Sequence, residues 1–174
     1  MRMNHDVELF RREVRATIER SRAQGRQGRQ TLSRGAVELL RWREERSIPG
    51  LWNVPPLMVT ATLDDAFGFG LEVIHDHARA AGLRVHPLGL RQAPARIVAS
   101  CRELRPDLLG LTVLQLDSEE ALAEVAGALP PETRVVVGGP IFAADPDLAP
   151  RCGVHFVARD AIAFLELLLD LDRE

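Results

Sequence analysis

Leu57-Met58-Val59-Thr60-Ala61-Thr62 runs directly into Leu63-Asp64-Asp65-Ala66-Phe67-Gly68-Phe69-Gly70, and the reading of this join decides the fold. The first six residues form a short, mostly apolar run of the kind that a buried strand needs. The acids and glycines after it are turn chemistry. From about Gly70 to Ala81 the residues Leu71, Ile74 and Ala78 recur on one side, which predicts a helix capped at its C-terminus by Gly82.

The same unit repeats down the chain. Arg84–Leu88 reads as a second strand. Pro94 suits the first turn of a helix that buries Ile97, Cys101 and Leu104. Leu108–Leu114 is the third strand. Ser118 is placed to cap the next helix, with Glu119 and Glu120 in its first turn, where the helix dipole favours acids. Arg134–Val137 and Val154–Val157 are strands four and five, and Asp160 caps a last helix. Strands alternating with helices imply right-handed crossovers and a parallel sheet covered on both faces. The expected class is α/β: a flavodoxin-like, doubly wound, five-stranded parallel sheet of order 2-1-3-4-5 over residues 55–174. In that order, ligands sit beyond the C-terminal strand ends, at the switch between strands one and three.

Residues 1–50 read differently, as a helical extension. Asp6 is the expected N-cap of a first helix whose Val7, Phe10, Val14 and Ile18 share a face. Gln24–Gln30 breaks the pattern. A second helix opens near Thr31 or Ser33, buries Leu32, Ala36, Leu39, Leu40 and Trp42, and ends before Ile48-Pro49-Gly50. Two such helices bury little alone. They must pack on the main domain, on each other across a homodimer, or on a protein partner. Trp42 and Trp52 either pack the extension or cover a ring ligand from above.

The 174 residues carry a net charge of −3, unevenly spread. Residues 1–50 hold 12 arginines against 7 acids; the rest holds 10 against 18. There is no lysine. The basic extension is read as a solvated helix face, and direct nucleic-acid binding is not expected. No apolar run approaches a membrane span, and no signal-peptide core is visible. Two cysteines, Cys101 and Cys152, form no CxxC pair; they fit a reducing cytoplasm, with a disulfide between them left open.

Function is sought in the loops after the strands. Asp64–Gly70 follows the first, Thr112-Val113-Leu114 the third, and Gly138-Gly139-Pro140 the fourth. In order and position these resemble the cobalamin-binding domain of methionine synthases, corrinoid proteins and carbon-skeleton mutases, which carries Asp-x-His-x-x-Gly, Ser-x-Leu and Gly-Gly at the same three loops. Asp65 and Gly70 match the ends of the first motif, Thr112 stands for the serine, and Leu114 for the leucine. Leu88-Gly89, nineteen residues after Gly70, matches a pair that follows the second strand in that family. The resemblance covers about residues 55–170. It implies a cobalamin whose nucleotide tail lies against Gly138 and Gly139, with Pro140 beside them. Thr112 would hydrogen-bond the tail base, and Gly70 would leave room where the helix starts.

One position departs from the pattern. The family's histidine ligates cobalt and its aspartate orients that histidine; here the position is Phe67, which cannot coordinate a metal. A bound cobalamin would then keep its own base on cobalt or recruit another side chain. A haem or bilin in its place is the further alternative. His5, His75, His77, His86 and His155 are the remaining candidate ligands, with His155, near the binding end in strand five, first among them.

Competing motifs fall short. A phosphorylation receiver needs an aspartate after strand three and a lysine after strand five; the chain has Thr112 and no lysine. Gly68-Phe69-Gly70 lacks the third glycine of a dinucleotide fingerprint, since Val73 stands there. Asp64, Asp65 and Asp117 read as loop caps before acids of a catalytic cleft. The expectation is a cobalamin- or related tetrapyrrole-binding sensor or regulator, not catalytic on its own. A corrinoid-carrying subunit of a methyltransferase or mutase is one alternative. A cofactor-free interaction domain, with Phe67 and Phe69 filling the vacated cleft, is another.

Overall fold

The structure is a computed structural model that describes residues 2–171. Five strands form one parallel sheet: β1 Leu57–Thr62, β2 Arg84–Gly89, β3 Leu108–Thr112, β4 Arg134–Gly138 and β5 Phe156–Val157. Their order is β2-β1-β3-β4-β5, the expected doubly wound flavodoxin-like arrangement with helices on both sides. The long helices are α1 Arg2–Ala23, α2 Arg29–Glu45, α3 Phe69–Ala81, α4 Pro94–Leu104, α5 Glu119–Ala128 and α8 Ala161–Asp170; α6 Ile141–Ala144 and α7 Leu148–Arg151 are single turns. No helix among the described residues is long and apolar enough to cross a membrane.

The chain divides into two compact units. One holds Leu57–Leu71 and Val85–Arg159. Its centre follows from strand composition: Val59, Ala61, Leu109, Leu111, Val135 and Val137 are all buried, as strands covered on both faces require. Helices α4 and α5 add Ile97, Cys101, Leu122 and Val125 to that core. Strand β2 has no fully buried residue, as its edge position allows, and carries Pro87, which an edge tolerates. Cys101 and Cys152 are both free and buried, and burial pushes the Cys101 thiol up to about 11.

The other unit holds residues 2–56, Glu72–Arg84 and 160–171. Phe10, Val14 and Ile18 of α1, Ala36 and Leu39 of α2, and Phe164, Leu165 and Leu168 of α8 are buried. Arg22 fastens α1 to α8 through both oxygens of Glu166 (3.0 and 2.9 Å) and through Asp160 at 3.0 Å. Trp52 is buried and donates Nε1–H to the Leu171 carbonyl, while Trp42 stacks on Phe10 with centroids 6.0 Å apart. Both tryptophans therefore pack this unit.

Several boundaries differ from the sequence expectation. Asp6 lies inside α1, which begins earlier; α2 opens at Arg29 with Gly28 before it. Arginine-rich helix ends carry no capping signature, so composition misplaced them. Ser118 makes no side-chain cap, because its hydroxyl is used elsewhere. Strand β5 has only two residues, so Val154 and His155 precede it. Asp160 does cap α8, accepting from Ala163 N at 2.6 Å, and Gly82 ends α3 with φ +100°.

Candidate functional site

Parallel pairing sets three strand ends side by side. Thr62 is opposite Thr112, and Thr112 is opposite Gly138. Adjacent strands lie about 4.8 Å apart, so these three positions span only about 10 Å. Every loop singled out from sequence begins at one of them.

The loop after β1 is tied down by its own polar groups. Thr62 is fully buried; its hydroxyl donates to the Asp65 carbonyl at 2.6 Å and accepts from Arg91 N at 2.8 Å. Asp65 is nearly buried and its Oδ1 accepts from the Phe67 amide at 2.8 Å. The carboxylate thus orients the backbone of residue 67, whatever side chain stands there. Asp64 turns the other way. It accepts from Leu114 N (2.8 Å), Gln115 N (2.9 Å) and the Ser118 hydroxyl (2.8 Å), fixing the loop after β3 from fifty residues away. The sequence reading of Asp64 as a loop cap is thereby explained, and the role of Thr62 is new. An Asp64→Ala variant should lose about 1–3 kcal/mol, because three donors lose one charged acceptor. Urea unfolding of the variant against the parent measures this.

The loops after β3 and β4 meet closely. Val113 N donates to the Gly138 carbonyl at 3.0 Å. Gly139 has φ +140°, and a Cβ there would stand 1.9 Å from the Val113 carbonyl oxygen. Only glycine fits this approach. A Cβ on Gly138 would come within 3.3 Å of the Ala158 carbonyl oxygen. Pro140 is exposed and starts α6, its carbonyl accepting from Ala143 and Ala144. Gly70 is different: it is exposed in the first turn of α3, and a Cβ there would meet nothing within 4 Å. The protein itself does not demand glycine at residue 70.

The rim of these loops is apolar and open. Phe67 is 73% exposed and Phe69 53%, and the two rings stack with centroids 5.8 Å apart and an 18° interplanar angle. Leu90 follows β2, Leu114 and Leu116 follow β3, and Val157 ends β5; all four are exposed. Six of the nine exposed large apolar side chains among the described residues thus lie at or just beyond C-terminal strand ends. Such clustering marks a surface that receives an apolar partner or ligand. Exposed as they are, Phe67 and Phe69 do not fill a buried cleft. No local pattern in the sequence reveals this rim, because its members come from four separate strand ends.

The structure brings Asp65, Phe67, Gly70, Thr112, Leu114, Gly138, Gly139 and Pro140 to this end of the sheet. It does not bring His155. That residue precedes β5, and its Nδ1 accepts from Val135 N at 3.0 Å, at the second residue of β4. Three residues of strand separate Val135 from Gly138, about 10 Å along the strand. The expectation that His155 lies near the binding end is corrected: pairing register, not strand membership, sets its height. His86 points from the edge strand β2, and His75 and His77 lie in the middle of α3. Among the described residues no group of three or more His, Cys, Asp or Glu could hold a metal ion.

Comparisons with known proteins bear on the family and the fold. Residues 56–168 match the family model described as B12 binding domain. A cobalamin-binding protein from Desulfitobacterium hafniense superposes with TM-score 0.79 at 18% identity, over 95% of this chain and 82% of that one. The monomethylamine corrinoid protein of Methanosarcina barkeri gives 0.61 at 16% identity, over 78% of this chain and 62% of its own. The methanol:cobalamin methyltransferase complex MtaBC from the same organism gives 0.59 at 19%, over 78% and 53%. At these identities the likeness is one of fold. No curated protein matches the chain.

Proposed function

The chain belongs to the B12-binding domain family, and from that premise we propose that residues 55–174 bind a corrinoid at the C-terminal strand ends and that the chain acts as a sensor or regulator, with residues 1–50 as its output. The observation that carries this reading is the rim itself. Open apolar side chains stand at the same end of the sheet as two half-buried glycines and a half-buried threonine, which lie at the adjacent ends of β4 and β3. A flat macrocycle with a polar tail matches an apolar rim around a small-residue cleft.

The fit is partial. Thr112, Gly138 and Gly139 would border the tail, with Pro140 beside them, and Gly70 leaves space beside Asp65. Leu114, Phe67 and Phe69 would meet the ring. A corrinoid supplies a cobalt whose lower face needs a donor or stays open, and Phe67 has no lone pair to offer. Phe67 therefore cannot be exchanged on and off the metal as a histidine at that position could. That argues against methyl shuttling and for sensing. A haem or bilin would meet the same apolar rim, and is an outcome of the test below.

Titrating the purified chain with hydroxocobalamin, adenosylcobalamin, haem and biliverdin, read by absorbance and gel filtration, tests the proposal. A corrinoid should co-elute and change the elution volume or the hydrogen exchange of α1 and α2. If no ligand co-elutes, the reading fails. If a corrinoid binds only beside a large co-purifying enzyme, a carrier subunit replaces the sensor.

Gly70 separates folding from binding. Gly70→Leu should fold at least as stably as the parent, since helix propensity rises by up to about 1 kcal/mol. Filling the open space should cost ligand binding about 1–3 kcal/mol, roughly fivefold to 150-fold in Kd. Urea unfolding and the corrinoid titration, run on one preparation, measure both.

A further inference from the structure

A groove between α1 and α2 ends on a buried imidazole, and we propose that His77 is a proton-operated latch holding these two helices against α3 and α8. His77 is 2% exposed. Its Nδ1 lies 2.8 Å from the Val73 carbonyl oxygen. A carbonyl only accepts, so Nδ1 carries the proton and donates it, and Nε2 of the neutral ring is left as a bare acceptor.

The ring lines a chamber of about 10 Å³, walled by Thr17 and Ser21 of α1, Thr31 of α2, Gln27 between them, and Ile162 and Leu165 of α8. That volume holds about one water molecule, and the hydroxyls supply its partners. The four polar residues also wall a wider groove of about 630 Å³ between α1 and α2. Gly35 lies on both, and a Cβ there would meet nothing within 4 Å, so no side chain at that position plugs the passage. A buried imidazole with a solvent route can exchange its proton without unfolding.

Protonation changes what the chamber must do. The imidazolium gains an Nε2–H that needs an acceptor, and a charge that the apolar α8 side cannot solvate. The elements packed here face His77 with few charges. Helices α1 and α2 present neutral groups at the chamber; Glu13, Arg20, Arg34 and Glu38 stand farther out on the groove. Asp76 is on its own helix, and Asp160 is held by Arg22. Burial pushes His77 below the ordinary histidine value; the Val73 carbonyl and the two aspartates offset this only in part. A lowered folded value means that the unfolded chain binds the proton more readily. The docking of α1 and α2 is thus fully stable above the ordinary value of 6.5 and weakens as pH falls from there through the folded value. His75 is shifted in the same direction, by burial and Arg79, and serves as the control.

Hydrogen exchange on the full chain at pH 7.5 and 5.5, expressed as protection factors, tests the latch. The parent and His75→Asn should lose protection severalfold in α1 and α2 at pH 5.5, while α4 and α5 hold theirs. His77→Asn keeps a donor for the Val73 carbonyl and cannot take a charge, so its α1 and α2 should not respond. Unchanged protection in the parent, or an equal loss in His77→Asn, overturns the proposal. Should that variant not fold, a histidine NMR titration of the parent decides. It must find the Nδ1–H tautomer at pH 7.5 and a midpoint below 6.5 shared with α1 and α2 resonances; an ordinary midpoint, or unshared shifts, overturns it equally.

Discussion

Gly139→Ala is expected to remove a large part of the stability of the chain. The new Cβ would stand 1.9 Å from the Val113 carbonyl oxygen and 2.9 Å from its carbon, both backbone atoms that no rotamer can move aside. The φ of +140° is closed to alanine even without the clash. Backbone strain of this kind costs about 1–3 kcal/mol, and overpacking of a tight contact about 1–3 kcal/mol more. Against the ~5–15 kcal/mol of a whole domain this is a large fraction. Urea unfolding followed by circular dichroism measures the loss. A change below about 1 kcal/mol would mean that the loops after β3 and β4 are not packed as described. Gly70→Ala is the contrasting control, since its Cβ meets nothing.

Phe67→His is expected to do the reverse: little to folding and much to the ligand. The ring is 73% exposed, so its replacement costs mainly the stacking on Phe69, about 0.5–1.5 kcal/mol. The new side chain completes Asp-x-His-x-x-Gly from Asp65 to Gly70. The loop is already shaped for it, because Asp65 Oδ1 holds the amide of residue 67 at 2.8 Å. A nitrogen donor aimed at cobalt should tighten hydroxocobalamin by about tenfold or more and shift its absorption bands on binding. Titration of parent and variant side by side measures both effects. Equal affinities with equal spectra would mean that residue 67 does not face the metal.

The sheet was legible because its strands are buried on both faces. Runs such as Leu57–Thr62 and Arg134–Val137 need no partner information to be read as strands. Gly138-Gly139 was legible for a related reason: a close backbone approach leaves glycine as the only solution. Contacts set by register were not legible. His155 reads as a strand residue near the ligand, yet its height depends on pairing with Val135, which no local pattern encodes. Asp64 and Ser118 each look like helix or loop caps, but they bond to each other across 54 residues. The groove on His77 gathers residues from α1, α2, α3 and α8, and no local pattern joins the hydroxyls of Thr17, Ser21 and Thr31 to that imidazole. The apolar rim was missed likewise. Phe67 was singled out for what it lacks, while Leu90, Leu116 and Val157 acquire meaning only beside it.

The central claim is a corrinoid site whose protein supplies no ligand to cobalt. The most direct test is an electron paramagnetic resonance spectrum of cob(II)alamin bound to the chain, taken with unlabelled protein and again with protein carrying ¹⁵N-histidine. The account predicts that the corrinoid co-elutes with the protein and that the two spectra are identical, with no nitrogen coupling that changes on labelling. A coupling that changes with ¹⁵N-histidine would place one of the five histidines on the metal, and failure to bind at all would remove the corrinoid.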